Sequence, residues 1–512
     1  MSTKLDCEFV EDTEIANANL EEIAHLVISS PWTKAKLKLY LVLSVVYFSS
    51  WQNGYDGTIM GTINGDPAYV SYYNFGETSS LEGVVQAIYS IGSYPSIFLA
   101  PVILDKFGRK QCLFLGCLLV IIGTCIQAPA TSRGMFIAGR LILGFGSSFV
   151  SQPGNVYVAE MAHPNYRGTL TALNNVCYWL GSIVGSWSAF GASYSNTTLS
   201  FRLPIWLQLL GCVIMIVFVL FIPETPRYLM LKDRQKEAFD VLVKYHGEND
   251  PHHPLVQLEM AEMVKQISSQ KQQPSWWNYA ELFRTPSDRR RARCWLVMGW
   301  FGQYITPTGY YLPVMITLAG VKDRHIVLLI NGLHPILSMM SSTIGSYLTD
   351  QIGRRPLLLF TCAAVSILFA VLTGLSKAAI SDGNEKAGIA SIVIILITTT
   401  TISLGWTPHQ GTYVAETLTT HHRARGQCLQ SFLGACAVTL LSYSSGPALG
   451  SISYYYYLVF VFWNAFMGVI IYFYWPETMG RTLEEMQEIF DDPNPVKKSL
   501  EPRTSSTAEI TA

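Results

Sequence analysis

The sequence predicts an all-α membrane protein of twelve transmembrane helices, arranged as two homologous six-helix bundles. Three observations predict it. The chain is poor in charge for its length, bilayer-length apolar stretches recur between short polar breaks, and the same charged motifs recur in both halves. Of 512 residues, 50% are hydrophobic and 14% charged, against roughly a quarter charged in soluble domains. The 39 glycines and 12% aromatics suit helices that pack closely in lipid and place rings at its interfaces. Lys and Arg total 35 against 36 Asp and Glu, so the basic excess that nucleic acid binding requires is missing.

A helix of about 20 apolar residues spans a bilayer. Such stretches fall near 38–62, 83–104, 111–129, 135–160, 168–191 and 203–222, which define helices 1–6. Helices 7–12 fall near 294–317, 326–349, 356–376, 388–415, 425–447 and 455–475. The expected organisation is a cytoplasmic tail over 1–37, a bundle over 38–222, an insert over 223–293, a second bundle over 294–475 and a tail over 476–512. The tail before helix 1 is acidic and lacks the basic start and apolar core of a cleaved signal peptide, so helix 1 serves as its own insertion signal. The insert is too short for a catalytic domain with its own core and is expected to form short amphipathic helices.

Orientation follows from the basic residues. Lys106, Arg109 and Lys110 follow helix 2, Arg289, Arg290, Arg291 and Arg293 end the insert, and Arg354, Arg355, Arg423 and Arg425 follow helices 8 and 10. The segment from Asn64 to Gly83 has no Lys or Arg, only Asp66, Glu77 and Glu82. Both termini and the insert are therefore expected in the cytoplasm. The sequon Asn196-Thr197-Thr198 then falls outside, and Asn196 becomes a glycosylation candidate. Of ten cysteines, nine lie in or near apolar runs and Cys7 in the tail. No CxxC spacing offers a metal site, so free thiols are expected.

Three motif pairs establish an internal repeat. Asp105-Lys106-Phe107-Gly108-Arg109-Lys110 after helix 2 matches Asp350-Gln351-Ile352-Gly353-Arg354-Arg355 after helix 8. Glu160 with Arg167 matches Glu416 with Arg425, at the ends of helices 4 and 10. Pro223-Glu224-Thr225-Pro226-Arg227 matches Pro476-Glu477-Thr478-Met479-Gly480-Arg481. Charges at helix ends near lipid must be paired. A cross-helix lattice that shuts the inner side would pair them, and they would also set topology.

These residues resemble the major facilitator superfamily, and within it the sugar porter family, from helix 1 to the Pro476 motif. Gly54-Tyr55-Asp56-Gly57 and Lys244-Tyr245-His246, with Asp250-Pro251 and His253-Pro254, resemble fungal lactose and cellodextrin permeases and hexose transporters. The resemblance implies the major facilitator fold. It also implies an inner gate of Asp105, Arg109, Glu160, Arg167, Glu224, Asp350, Arg354, Glu416, Arg425 and Glu477.

Asp56 in helix 1 and Arg140 in helix 4 are isolated charges in apolar sequence, where charges are rare and usually functional. Asp56 reads as the only acid deep in a membrane helix. Arg140 opens a polar stripe of Gly144, Ser148, Gln152 and Asn155 at helical spacing. A carboxylate beside a guanidinium stays ionised, and once separated in an apolar setting it takes up a proton. The pair can therefore couple proton movement to conformation, and in sugar porters the matching acid accompanies proton symport. A static buried ion pair is the plainer reading.

A sugar site needs amide and hydroxyl groups plus an aromatic face. Gly405-Trp406-Thr407-Pro408 places Trp406 ten residues before Glu416, which resembles the family's ring-stacking tryptophan; an interface anchor is the plainer reading. Gln303 resembles the family's glutamine motif, Asn175 stands where the family commonly has Gln, and Tyr310 and Gln152 complete the expected substrate contacts. His409, a turn after Trp406, could titrate near neutral pH or simply pack. Cys436 and Ala437 stand where many relatives place an amide and a Trp.

No phosphate-cradling loop, Gly-x-Ser-x-Gly or HExxH occurs, so an enzyme or ATP-driven pump is not expected, nor a cofactor or metal. The expected function is sugar transport by proton symport, in a multi-pass plasma-membrane protein acting as a monomer. The partners are then a sugar, a proton and the bilayer. The alternatives are a passive facilitator or exporter of a sugar or small metabolite, and, third, a nutrient sensor on a transporter scaffold.

Overall fold

The computed structural model describes residues 32–75, 79–195, 197–270, 279–321, 323–419, 422–481 and 483–501. Asn196 and the tail before residue 32 lie outside the described residues. Twelve helical units cross the molecule, and no strand occurs among the described residues. In the first half these are α1 (Lys34–Ile63), α2 (Ser80–Phe107), α3 (Arg109–Gln127), α4 (Arg133–Met161), α5 (Arg167–Ala192) and α6 (Leu199–Leu207 with Leu209–Val219). In the second they are α7 (Pro286–Trp300, then Phe301–Gln303 and Thr308–Leu318), α8 (Arg324–Ile352), α9 (Arg354–Ser381), α10 (Glu385–Thr417), α11 (Arg423–Ile452) and α12 (Tyr456–Tyr474). Eight stretches are long and apolar enough to cross a membrane by length and composition, the last of them joining α11 and α12.

Local chemistry sets the boundaries. Side chains of Ser79, Ser132, Asp323 and Asn384 accept backbone N–H groups at the starts of α2, α4, α8 and α10, satisfying donors that a helix leaves open. The second half begins earlier than hydropathy suggests. Thr285 and Asp288 form a capping box that starts α7 at Pro286, before the apolar run that opens at Cys294. The basic residues 289–293 therefore lie within the first turns of α7, and the insert ends at Thr285.

Each half has its own core. Leu43, Leu113, Val150 and Met215 join α1, α3, α4 and α6, while Trp295, Cys362, Trp406 and Phe460 join α7, α9, α10 and α12. Close approach of α1 and α5 depends on two glycines. A Cβ on Gly54 would strike the Tyr178 carbonyl, and one on Gly181 the Trp51 carbonyl. Such small-residue contacts suit lipid, where packing replaces the hydrophobic drive between helices.

Between the halves, α2 meets α11, α5 meets α8 and α1 meets α7. Polar and ring contacts also join the halves at the end remote from the paired motifs. There Arg324 bonds Asp66 at 2.8 Å, Asn331 donates to Thr62 at 3.0 Å, and His325 stacks on Tyr194 with ring centroids 4.5 Å apart.

The insert forms helices Pro226–Leu231, Gln235–Tyr245 and Pro254–Gln270, packed through Leu229, Met230 and Ala238. A buried histidine fastens it to the first bundle. His246 Nδ1 lies 2.7 Å from Glu259 and Nε2 lies 3.2 Å from the Met161 carbonyl. The carbonyl only accepts, so Nε2 donates to it, and an ionised Glu259 takes a proton from Nδ1 as well, an arrangement that favours the cationic ring. Burial opposes that charge, but the Glu259 carboxylate outweighs it and the His246 pKa is raised. The neighbouring His163 is pushed down to about 3 by burial, then by His246 and Lys36, and its neutral ring accepts from Asn165 N–H.

A raised folded pKa contributes stability below the unfolded value of about 6.5, and that stability is lost as pH rises through the folded value. The melting-temperature gap between wild type and His246→Gln should therefore be widest in acid and shrink on the alkaline side. A gap independent of pH would mean the ring is neutral.

Candidate functional site

The repeated motifs build the same clasp twice. In the first half, Arg109 Nε and Nη2 reach both oxygens of Glu160, at 2.9 and 2.7 Å, and Thr225 donates to Glu160 at 2.6 Å. Glu224 accepts the Arg109 backbone N–H at 3.0 Å and so caps α3. In the second half, Arg354 bonds Glu416 at 3.0 Å and Thr478 donates to Glu416 at 2.5 Å. Glu477 accepts the backbone N–H groups of Arg354 and Arg355, both at 3.0 Å, and caps α9. A carboxylate at a helix N-terminus meets open donors and the positive end of the dipole.

The motif glycines follow from this geometry. Gly108 and Gly353 have φ of 104° and 99°, in the left-handed region. A Cβ there would come within 2.7 Å of Glu224 Oε2 and 2.8 Å of Glu477 Oε2. Asp105 and Asp350 are the outlying members, more than half exposed, at 3.9 and 3.2 Å from their arginines.

The clasps differ from the expected lattice in one respect. Arg109, Glu160 and Glu224 bond within the first half, and Arg354, Glu416 and Glu477 within the second. Arg425 pairs with Glu281 at 2.7 Å, at the entry to α7. No ion pair to Arg167 occurs among the described residues. These charges brace each bundle internally rather than tying the bundles together in this conformation.

Deep in the first bundle, Asp56 is 3% exposed. Gln52, one turn earlier on α1, donates to it at 2.7 Å, and Gln208 approaches from the break in α6. Arg140 is 2% exposed and within electrostatic reach, yet the two do not pair within 4.0 Å. Arg140 instead donates to the Val85 carbonyl at 3.0 Å and lies over the Tyr89 ring at 5.3 Å. Tyr310, from the second half, comes within reach of Arg140 as its α7 segment packs on Gly61. The structure thus gathers Asp56, Arg140 and Tyr310.

The remaining expected contacts divide. Gln303 lies in the turn that breaks α7, half-buried against Gly434 of α11. Gln152 is half-buried and donates to the Ile97 carbonyl at 3.4 Å. Asn175 is exposed on α5, one turn before Tyr178, whose hydroxyl faces Gly57; its neighbour Asn174 is buried and bonds Asn155 at 2.7 Å. Trp406 departs from expectation. It is 1% exposed, with Gly302 against its ring and Trp475 edge-on at 6.3 Å. An indole sealed between α7, α9, α10 and α12 cannot stack on a substrate in this conformation, because its helical phase points it into the core. His409 packs as well, bonding the Gly405 carbonyl and Thr349.

One buried acid escaped the sequence reading. Glu82 is fully buried in the first turn of α2, one residue ahead of the expected start of helix 2, in a segment assigned to the outer loop. The signal available was Gln86, four residues on and therefore on the same helical face.

Residues 42–490 match the family described as sugar (and other) transporter. The chain belongs to that family. It is a multi-pass membrane transporter of the major facilitator fold and not an enzyme. Its similarities are spread over nearly its whole length. An MFS-type transporter of Aspergillus cristatus is 26% identical, over 90% of this chain and 96% of the relative. A high-affinity glucose transporter of Kluyveromyces lactis is 25% identical over 89% and 85%, and a quinate permease of Emericella nidulans 24% over 89% of each. The inward-open xylose transporter XylE of E. coli superposes with a TM-score of 0.72 over 88% of this chain and 99% of that one, at 18% identity. That last likeness concerns the fold alone.

Truncating Trp406 should therefore act through packing. Trp406→Ala should destabilise the second half by about 3–5 kcal/mol, as other buried Trp truncations do, and lower the melting temperature in detergent. Substrate affinity of the surviving protein should be unchanged. A selective loss of affinity without loss of stability would return Trp406 to the site.

Proposed function

We propose that this transporter carries a sugar by proton symport through alternating access, in the plasma membrane, with the clasp ends and both termini in the cytoplasm. The observation that carries the reading is Asp56, a buried carboxyl bonded by neutral amides, with Arg140 within electrostatic reach but not paired with it within 4.0 Å. A buried charge without a close counter-charge is costly. Protonation of Asp56 and approach of Arg140 are two ways to remove that cost, and exchanging them with conformation couples proton to substrate.

Sidedness rests on the basic residues concentrated at the clasp end. The opposite end is then the outer one, shut here by Asp66–Arg324, Thr62–Asn331 and Tyr194–His325. These contacts are few and small enough to break when rigid halves rock, while each clasp stays intact. Gln303, Asn175, Gln152 and Tyr310 supply amides and a phenol suited to sugar hydroxyls. The relatives described as glucose transporters support a hexose-sized substrate.

The test is uptake and counterflow in proteoliposomes with an imposed pH gradient. Asp56→Asn should abolish accumulation and its pH dependence while sparing counterflow, because the amide resembles the protonated acid. Arg140→Ala should also uncouple, since the buried acid loses the cation that balances it. Wild-type transport indifferent to the gradient, or accumulation by Asp56→Asn, would leave facilitated diffusion in place of symport.

A further inference from the structure

The outer end of the first bundle holds a second buried acid that makes no ion pair among the described residues. Glu82 is 0% exposed. Its Oε2 accepts from the Tyr69 hydroxyl at 3.1 Å and its Oε1 from Gln86 at 2.8 Å, and both donors are neutral. The Tyr69 ring in turn packs against Tyr73, Phe75, Phe136 and Phe201. Among the described residues no basic group pairs with it within 4.0 Å, and the cation whose field reaches it is Arg140, the same guanidinium whose field reaches Asp56.

Arg140 is one cation; Asp56 and Glu82 are two acids, all three 3% exposed or less. With both acids ionised the buried set has a net negative charge, which burial disfavours strongly. One proton on either acid makes the set neutral. The phenols of Tyr69, from helix Pro67–Tyr73, and of Tyr311, from α7, also face Glu82, and neither supplies positive charge; Arg133 and Arg202 lie over the rings of Phe75 and Phe201 and do not pair with Glu82.

Position separates Glu82 from an ordinary capping acid. The next residue, Gly83, lies against the Tyr443 backbone of α11, where a Cβ would come within 2.7 Å of the carbonyl. Tyr311, which feels the Glu82 charge, donates to the Ser442 carbonyl at 2.7 Å. Glu82 therefore sits at the seam where α2 meets the second half. Separating the halves there would bring water to it, and closing them would bury it again.

We propose that Glu82 is a second proton-binding carboxyl of the coupling site, sharing Arg140 with Asp56 and exchanging its proton with the outer side when this seam opens. The inference rests on the proton-coupled reading above. No bond other than O–H is made or broken. A proton arrives from external water at Glu82, and the pair Asp56/Glu82 holds it while the outer side closes.

Two measurements test it on the purified full chain. Infrared difference spectra should show a protonated carboxylic C=O band that disappears in Glu82→Gln and shifts in Tyr69→Phe, which removes one hydrogen bond from it. In proteoliposomes, Glu82→Gln should keep counterflow but move the external-pH midpoint of uptake by about one unit, a tenfold change in proton affinity. Glu82→Asp should restore titration, which guards against a variant that simply folds poorly. Gradient-driven wild-type accumulation, with an unaltered band and pH profile in Glu82→Gln, would overturn the Glu82 assignment alone. Wild-type indifference to the gradient would defeat symport and this inference with it.

Discussion

A charge near or within lipid must be matched by another charge or by several hydrogen bonds, and the rest of this structure is organised around that demand. At the clasp ends the motif glutamates are fully matched. Glu160 and Glu416 each hold an arginine and a threonine hydroxyl, and Glu224 and Glu477 each occupy an open helix N-terminus. The result joins the start of α3 to the ends of α4 and α6, and the start of α9 to the ends of α10 and α12. Each bundle is thereby braced at one end as a unit that can move without internal rearrangement.

Between the bundles the matching is looser, which suits a surface that must part. Among the described residues it is made of hydrogen bonds and ring contacts together with the ion pair Asp66–Arg324. Phe98 against Phe432 and Tyr94 donating to Thr439 continue the α2–α11 contact along its length. Between the middle of the first bundle and its outer end the matching is incomplete: two buried acids lie in the field of one arginine that bonds a carbonyl instead. Incomplete matching is costly in a static protein and is useful where a proton supplies the missing charge.

The histidine latch applies the same rule to the insert. His246, bonded at both nitrogens, makes docking of the insert on α4 depend on a buried cation, while His163 beside it stays neutral. The insert is thereby held against the end of α4 that also supplies Glu160 to the first clasp.

Much of this was legible in sequence for a simple reason: the patterns that direct a chain into lipid are local. Apolar length, the repeated Asp-x-x-x-Arg and Pro-Glu-Thr motifs, and the isolation of Asp56 and Arg140 need no knowledge of neighbours, and the family match agrees with them. What the tertiary structure alone decided depends on direction and distance. Trp406 turned inward because helical phase and the space left by Gly302, not its place in the motif, choose its neighbours. Glu82 proved buried because a separate helix, Pro67–Tyr73, folds over it. The clasps closed within each half because the motif glutamates are nearer to the helix starts of their own bundle than to the other. Sequence determined which groups are present and which helices carry them; only the fold decided which of them meet and, for Glu82, how deeply one is buried, because contacts between helices are set by packing across long stretches of chain.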